Sequence, residues 1–358
     1  MSHDAEAYGV YLHVPFCRQR CDYCAFVTYT NRDQDIDAYV DGVLRELDEQ
    51  DRPATSVFFG GGTPSMLPAH VMERLIAAIA VHPGAEITME VNPEDVTEDY
   101  LHAVHDAGIT RVSVGIQSTA PHVLKSLGRI HRAEGARELA ELIDGVGFSS
   151  WSMDLILGTV GERDEDVRET LATVLDHDAA PPHLSAYLLT PERATPLGKD
   201  PLRHPSEETL ADRYLLLNQE LERRHYGWYE ISNFSRDGHE CRHNQLYWAQ
   251  GDYLGVGPGA HGHLRGRRSW RIANLDTWLE RSARHEDTEA GCEIVEEASA
   301  RFERAALMLR TRVGVPAAWL ADADELSEFV SITGDRAILT PQGRLMADEI
   351  ARRLEPTS

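Results

Sequence analysis

The sequence predicts an α/β protein: a partial barrel of six strand–helix units, (βα)6, then a connecting segment and a small winged-helix-like α+β module. Three observations predict it. Strand and helix patterns alternate with little interruption from residue 10 to residue 224, which implies parallel strands joined by right-handed crossovers. The strands carry small polar residues on one face, where a closed eight-stranded barrel packs branched aliphatics. Past residue 291 the pattern changes to helix, hairpin and helix. The divisions read as 1–232 for the barrel, 233–291 for the connecting segment and 292–358 for the C-terminal module.

The first strand, residues 10–14, runs into a loop holding Cys17, Cys21 and Cys24. Spacings of three and two residues let one short loop wrap three thiolates around a compact inorganic body. A cubane iron–sulfur cluster takes four thiolates, so three with no obvious fourth leave one iron open to an outside ligand. The other reading of this loop alone is a closed zinc site, completed by His13 or a distant histidine.

Helix 37–49 follows, then strand 56–59 leading into Gly60-Gly61-Gly62-Thr63-Pro64. That run is neither a Walker loop nor a dinucleotide fingerprint; its glycines let the backbone approach a ligand closely. Helix 69–81, strand 86–91, helix 98–107 and strand 111–116 come next. Two short helical pieces precede strand 151–156, helix 164–176, strand 183–189 and helix 207–224. Period-two alternation puts Glu86, Thr88 and Glu90 on one face of the third strand, Ser113, Gly115 and Gln117 on one face of the fourth, and Ser152 and Asp154 on one face of the fifth. This pattern suits a hollow barrel around a large polar ligand, or a sheet with one wet face. Helices cover both faces of a parallel sheet, which favours the hollow barrel. Glu90, Gln117 and Asp154 fall with the cysteine and glycine loops near the C-terminal strand ends, where barrel chemistry is found.

Composition narrows the function. The 358 residues are 42% hydrophobic, enough for a sizeable core, and carry a net charge of −24 with Lys125 and Lys199 as the only lysines. So acidic a chain is a poor partner for a nucleic-acid backbone. Five cysteines, three of them in one loop, argue against a disulfide framework and for a reducing compartment. With no signal-peptide pattern and no apolar run of membrane-spanning length, the expectation is a cytoplasmic protein, with peripheral membrane association left open.

Residues 191–205 read as a surface loop and 227–231 as a final strand. On its residues alone, His243 in Cys241-Arg242-His243-Asn244-Gln245-Leu246-Tyr247-Trp248 caps a helix or is bonded inside the fold. Gly255-Val256-Gly257-Pro258-Gly259-Ala260 opens no helix, so it reads as tight packing near the rim rather than a nucleotide loop. Arg265, Arg267, Arg268 and Arg271 form a basic run suited to propionates or an acidic partner, or a solvated loop. The last module is expected as helix 301–312, a hairpin over 329–339 turning at Gly334-Asp335, and helix 341–354 capped by Thr340. Its eight arginines against twelve acids, a net of −4 from Cys292 onward, point to protein contacts rather than DNA.

Cys17-x3-Cys21-x2-Cys24 followed by Gly60-Gly61-Gly62-Thr63-Pro64 is similar to the radical S-adenosylmethionine (radical SAM) superfamily. Tyr11-Leu12-His13-Val14-Pro15-Phe16-Cys17, Glu90-Val91-Asn92-Pro93, Gly115-Ile116-Gln117-Ser118 and His243-Asn244-x-x-Tyr247-Trp248 resemble the branch of the oxygen-independent coproporphyrinogen III oxidases and their heme-chaperone relatives. The resemblance implies a [4Fe-4S] cluster on Cys17, Cys21 and Cys24, with S-adenosylmethionine on its open iron. It also implies that Tyr11 contacts the nucleoside and that Gly61, Gly62 and Thr63 lie along the methionine. Glu90, Gln117, Arg129 and Asp154 would hold the remaining polar atoms or a second cofactor molecule, and His243 would bind heme. Two functions follow: a heme carrier serving apoproteins of respiration, with a homodimer possible, or an oxidase acting on porphyrinogen propionates. The oxidase carries a further cysteine where this chain has Phe26, and a longer N-terminal extension, so the resemblance favours the carrier.

Overall fold

The computed structural model describes residues 7–129, 135–321 and 323–356. Its parallel centre contains β1 (Tyr8–Val14), α1 (Ile36–Leu47), β2 (Ala54–Gly61), α2 (Ala69–Ala78), β3 (Val81–Val91), α3 (Glu98–Asp106) and β4 (Arg111–Gln117). After these come α4 (Pro121–Ser126), α5 (Ala136–Val146), β5 (Ser150–Leu157), α6 (Asp164–Leu175), β6 (His183–Leu188) and α7 (Glu207–Arg223). The alternation predicted from sequence is the reason these strands form. Val10, Leu12 and Val14 of β1 are buried against the helices, in register with Val57, Phe59 and Gly61 of β2. Val57 and Met89 continue the apolar layer across β3, and Val112, Val114, Met153 and Leu184 carry it to β6. This layer and the inner faces of the helices make one core. Removing it from water at about 25 cal/mol per Å² is the main stabilising contribution.

The opposite faces of β1 to β6 all line one interior: Tyr11, Phe58, Glu90, Ser113, Asp154 and Tyr187 share a cavity, so the sheet curves around it. It does not close. β1 pairs with β2 and with β9, and β6 pairs with β5 and with β8.

The edges differ from expectation. The final strand expected at 227–231 is β7 (Gly227–Glu230), at the outer edge, bonded antiparallel to β8 (Asn233–Ser235), which pairs antiparallel with β6. The connecting segment builds α8 (Arg242–Trp248), β9 (Asp252–Val256), β10 (His261–Leu264), β11 (Arg267–Arg271) and α9 (Leu275–Ala283). β9 runs parallel to β1, and β10, β11 and β12 (Glu289–Ile294) extend the sheet antiparallel. One sheet of twelve strands results, in the order β12-β11-β10-β9-β1-β2-β3-β4-β5-β6-β8-β7. The added strands are short, and β11 and β12 are rich in arginine and glutamate, so they lack the apolar alternation by which a strand is read. Buried Glu46 of α1 fastens this extension: it accepts hydrogen bonds from the Gly257 N–H at 2.6 Å, the Trp278 indole at 2.8 Å and the Thr288 hydroxyl.

A second core begins at α10 (Glu297–Leu309) rather than at Cys292, because residue 292 lies within β12. It packs against β13 (Val315–Pro316), β14 (Val330–Thr333), β15 (Arg336–Leu339), α11 (Pro341–Leu345) and α12 (Ala347–Ala351). The hairpin turns at Gly334, φ +63°, as expected. The single final helix predicted is two helices instead. Gly343 sits so close to the Phe329 carbonyl that a Cβ there would lie 1.8 Å from its oxygen, and the chain restarts at Met346. No helix of the described residues is long and apolar enough to cross a membrane.

Candidate functional site

At the C-terminal ends of the strands an open cavity of about 520 Å³ is lined by Cys17, Cys21, Cys24, Gly61, Gly62, Thr63, Glu90, Gln117, Arg129 and Asp154. The cysteine loop is anchored at both ends, by Cys17 N–H to Tyr29 O at 2.9 Å and by Asp22 N–H to Leu127 O at 3.3 Å. The end of β2 holds it from beneath: Gly62 N–H donates to Val14 O and Thr63 N–H to Phe16 O, both at 2.8 Å. A Cβ on Gly62 would stand 2.7 Å from both the Val14 and Phe16 oxygens, so only glycine allows this approach.

Donors already point at the sulfurs. The Thr63 hydroxyl donates to Cys17 Sγ at 3.3 Å and Arg129 Nη1 to Cys21 Sγ at 3.4 Å. Arg129 is held in turn by Asn92 Oδ1 at 3.2 Å and the Gly115 carbonyl, while Asn92 Nδ2 donates to Thr63 Oγ1 at 3.0 Å. The buried Arg129 Nε and Thr28 Oγ1 have no hydrogen-bond partner among the described residues. Among the described residues, no three His, Cys, Asp or Glu side chains converge closely enough to hold a single metal ion. His13 is committed elsewhere, with Nδ1 to the Tyr11 hydroxyl at 3.0 Å and Nε2 to Val27 O at 2.8 Å. A closed zinc site completed by His13 therefore does not fit. Three thiols spread over one loop, with N–H and O–H groups to steady anionic sulfur, fit a polynuclear cluster. Burial pushes the Cys17 thiol up to about 11, so a metal must displace its proton.

Below the sulfurs stand two buried carboxylates. Glu90 accepts from Gly61 N–H at 3.1 Å, yet burial and, after it, the charge of Asp154 push it up to about 8. Burial also raises Asp154, against the Ser113 hydroxyl at 2.8 Å, the Ser185 hydroxyl and the Arg111 guanidinium. Two such groups in a low-dielectric wall make a socket for positive charge. Gln117 occupies the left-handed region at φ +63°, just past a bulge in β4, which turns its side chain into the cavity.

Tyr11 and His243 are not at this rim. Tyr11 stacks on Phe58, with ring centroids 6.3 Å apart, and lines a deeper chamber of about 120 Å³ with Thr88, Arg111, His183 and His243; it meets the rim cavity at Glu90, Ser113, Asp154 and Tyr187. Helix α8 lines that chamber with His243, Asn244 and Tyr247. Its first N–H groups, Arg242 at 2.8 Å and His243 at 3.3 Å, donate to Glu86 Oε1. His243 is wholly buried, and both ring nitrogens are engaged, Nδ1 with Ser56 Oγ at 2.9 Å and Nε2 with the Tyr247 hydroxyl at 2.8 Å. Burial holds it down at about 3, hence neutral. In this conformation it presents no nitrogen to a porphyrin. Cys241 is buried against Glu86, with Sγ 3.4 Å from Oε1.

The basic run does not face the site as free charge. Arg265 pairs with Asp51 at 2.6 Å, Arg267 with Glu289 at 2.5 Å, Arg268 with Glu293 at 3.0 Å and with Glu303, and Arg271 with Glu49 at 2.7 Å. Alternating Arg and Glu across β11 and β12 neutralise each other, which overturns their expected role toward propionates. Two rim residues escaped the sequence reading. Asn92 continues the Glu90 alternation by one step, and Tyr187 shares the inward face of β6 with His183 and Ser185, so the period-two signal reached both.

Comparison with known proteins agrees with this geometry. The Radical SAM superfamily model matches residues 11–174. The heme chaperone HemW of Mycobacterium tuberculosis (strain ATCC 25618 / H37Rv) is 38% identical over 98% of this chain and 95% of its own. HemW of Escherichia coli (strain K12) is 38% identical over 72% of this chain and 70% of its own. Among solved structures, coproporphyrinogen III oxidase (HemN) from Escherichia coli, described as a radical SAM enzyme, superposes with a TM-score of 0.84 at 20% identity, covering 98% of this chain and 90% of that one. With 38% identity to a curated relative over 98% of its length, the chain belongs to the heme chaperone HemW family of the radical SAM superfamily.

Proposed function

We propose that the protein is a heme carrier that binds a [4Fe-4S] cluster and S-adenosylmethionine at the barrel rim and passes heme to apoproteins, those of respiration foremost. The observation that carries the reading is the convergence of three thiols with Thr63, Glu90, Gln117, Arg129 and Asp154 around one cavity, in a chain whose relatives are named heme chaperones. Cys17, Cys21 and Cys24 would hold the cluster, which supplies an iron with an open coordination position.

This chain's own residues would do the rest. Arg129 and Asn92 fix the sulfur side of the cavity and offer a guanidinium edge to a carboxylate. Glu90 and Asp154 would accept hydrogen bonds from ribose hydroxyls or set a counter-charge beside the ammonium, each losing its proton where it meets the cation. Heme ligation by His243 would require α8 to release at least one of the Ser56 and Tyr247 bonds.

The test is an anaerobic preparation loaded with cluster and hemin, then mixed with an apocytochrome. Transfer of heme to the acceptor is the expected result. Conversion of added coproporphyrinogen III to protoporphyrinogen IX at a useful rate would replace the carrier with the oxidase.

A further inference from the structure

Resting on the cluster half of the proposed function, we propose that the face around the cysteine loop docks a small acidic electron-transfer protein, held by Arg20, Lys125, Arg193 and Lys199 around Phe26 and Leu202. The charge of the chain is distributed to suit such a partner. Segments 18–26, 121–129 and 190–203 hold seven cations against three acids, a net of +4 in a chain of net −24, and both lysines are among them. In a molecule so acidic, a positive island sets where and how a negative protein approaches.

Hydrogen bonds join the three segments into one surface. Asp22 N–H donates to Leu127 O at 3.3 Å and Gln19 Nε2 to Gly128 O at 3.2 Å, which fixes the end of α4 against the cysteine loop. Leu197 N–H donates to Asp22 O at 2.9 Å, and Arg203 Nη2 bonds Asp22 Oδ2 at 2.8 Å and Ser126 O at 2.5 Å. Two of the three acids are thereby occupied, Asp22 by Arg203 and Asp200 by the Leu202 N–H at 3.2 Å. The third, Glu192, lines the cavity mouth. Arg20, Lys125, Arg193 and Lys199 are exposed, and none pairs with a carboxylate among the described residues. The four arginines from Arg265 to Arg271, by contrast, are each matched by an acid.

Apolar groups stand open inside this cationic ring. Leu202 is 88% exposed and Phe26 63% exposed. Leu202 is carried on the short turn Pro201–Arg203, whose bonds to Asp22 and Ser126 hold it beside the cysteine loop. Apolar anchors rimmed by charge are the pattern of a protein-recognition surface. One already fixed by its own hydrogen bonds costs less to order on binding. What lies under the surface names the partner. Cys21 and Cys24 are half-buried in this loop, and Phe26 follows Cys24 by two residues. A protein seated here comes within reach of the centre that the thiolates would hold, and such a centre exchanges electrons. One electron leaves the carrier, which is oxidised by that electron, and enters the centre; no bond forms and no proton moves.

The first measurement is calorimetric binding of oxidised flavodoxin, an acidic flavin carrier, to the full-length, cluster-free protein at about 50 mM and about 500 mM salt. The second is stopped-flow formation of the flavin semiquinone when flavodoxin hydroquinone meets the cluster-loaded protein, with dithionite as the small-reductant control. Compared are the unmodified chain, Lys125→Glu with Lys199→Glu, Leu202→Ser, and Arg284→Glu with Arg304→Glu, an equal charge change at the end of α9 and on α10. The lysine pair is expected to raise Kd about tenfold or more at low salt and to slow semiquinone formation in proportion, with dithionite reduction unchanged. Leu202→Ser is expected to raise Kd about fivefold at both salts. The Arg284 and Arg304 control is expected to stay within about twofold. Lysine variants that bind like the unmodified chain, a control that loses as much, or an unmodified chain that binds phosphatidylglycerol vesicles but not flavodoxin would overturn the proposal and leave the proposed function standing. A chain that takes up no cluster would overturn the proposed function and with it the electron step, while the calorimetry would still decide the docking face.

Discussion

At the C-terminal ends of the strands, polar side chains surround an open cavity of about 520 Å³ beneath an exposed Phe26. Toward the N-terminal ends, residues of the same chemical types face a chamber of about 120 Å³ lined by α8. Both ends lie on the same inward faces of the same strands: Glu90 at the rim and Glu86 at the floor are two inward steps apart on β3. Their partners separate them. Glu90 has one amide and a neighbouring like charge, whereas Glu86 receives two helix amides and the Cys241 thiol and lies 3.9 Å from the Arg111 guanidinium. A barrel can therefore carry a polar interior whose upper half is left open to a ligand and whose lower half holds the structure together.

The largest effect expected from breaking this contrast is at the cysteines. Cys17→Ala, Cys21→Ala or Cys24→Ala should abolish the visible chromophore and reduce iron and sulfide to background after anaerobic reconstitution, while the denaturation midpoint of the cluster-free chain stays close to that of the parent. His243→Ala should do the reverse. Losing two hydrogen bonds and a buried ring should cost about 2–4 kcal/mol in denaturant unfolding, with cluster content unchanged.

A smaller and pH-dependent effect is expected at Glu90. Its folded-state value, about 8, lies above that of an unfolded carboxyl. The ligand-free protein should therefore lose stability as pH rises from about 4.5 toward 8. Glu90→Gln should flatten that slope, gaining on the order of 1–3 kcal/mol at the alkaline end. Because a cation favours the ionised carboxylate, S-adenosylmethionine affinity should rise over the same pH range in the parent and not in the variant. A parent affinity that is flat with pH would remove Glu90 from the socket. The smallest effect belongs to Ser113→Ala, which takes one hydroxyl from Asp154 and should weaken the same binding by about 0.5–1.5 kcal/mol.

The rim was largely legible in the sequence because its signals are local. The cysteine spacing, the glycine run and the alternation reaching Glu90, Gln117 and Asp154 each lie within a few residues of a strand end. Arg129 was reached through resemblance alone, since it stands on a loop with no period to read. Height along the barrel was not legible. Alternation assigns Tyr11 and His243's neighbour Ser56 to the interior, but says nothing of whether they face the mouth or the plug. Nor were β11 and β12 legible, because strands whose Arg and Glu side chains pair across a sheet edge carry no apolar stripe.

The account stands most directly on the electron paramagnetic resonance spectrum of the reconstituted, dithionite-reduced protein, recorded with and without S-adenosylmethionine. It predicts about four irons per chain and a [4Fe-4S]⁺ signal whose g values move when the cofactor binds, as an open iron requires. A signal indifferent to the cofactor, or a chain that takes up one zinc in place of iron, would contradict it.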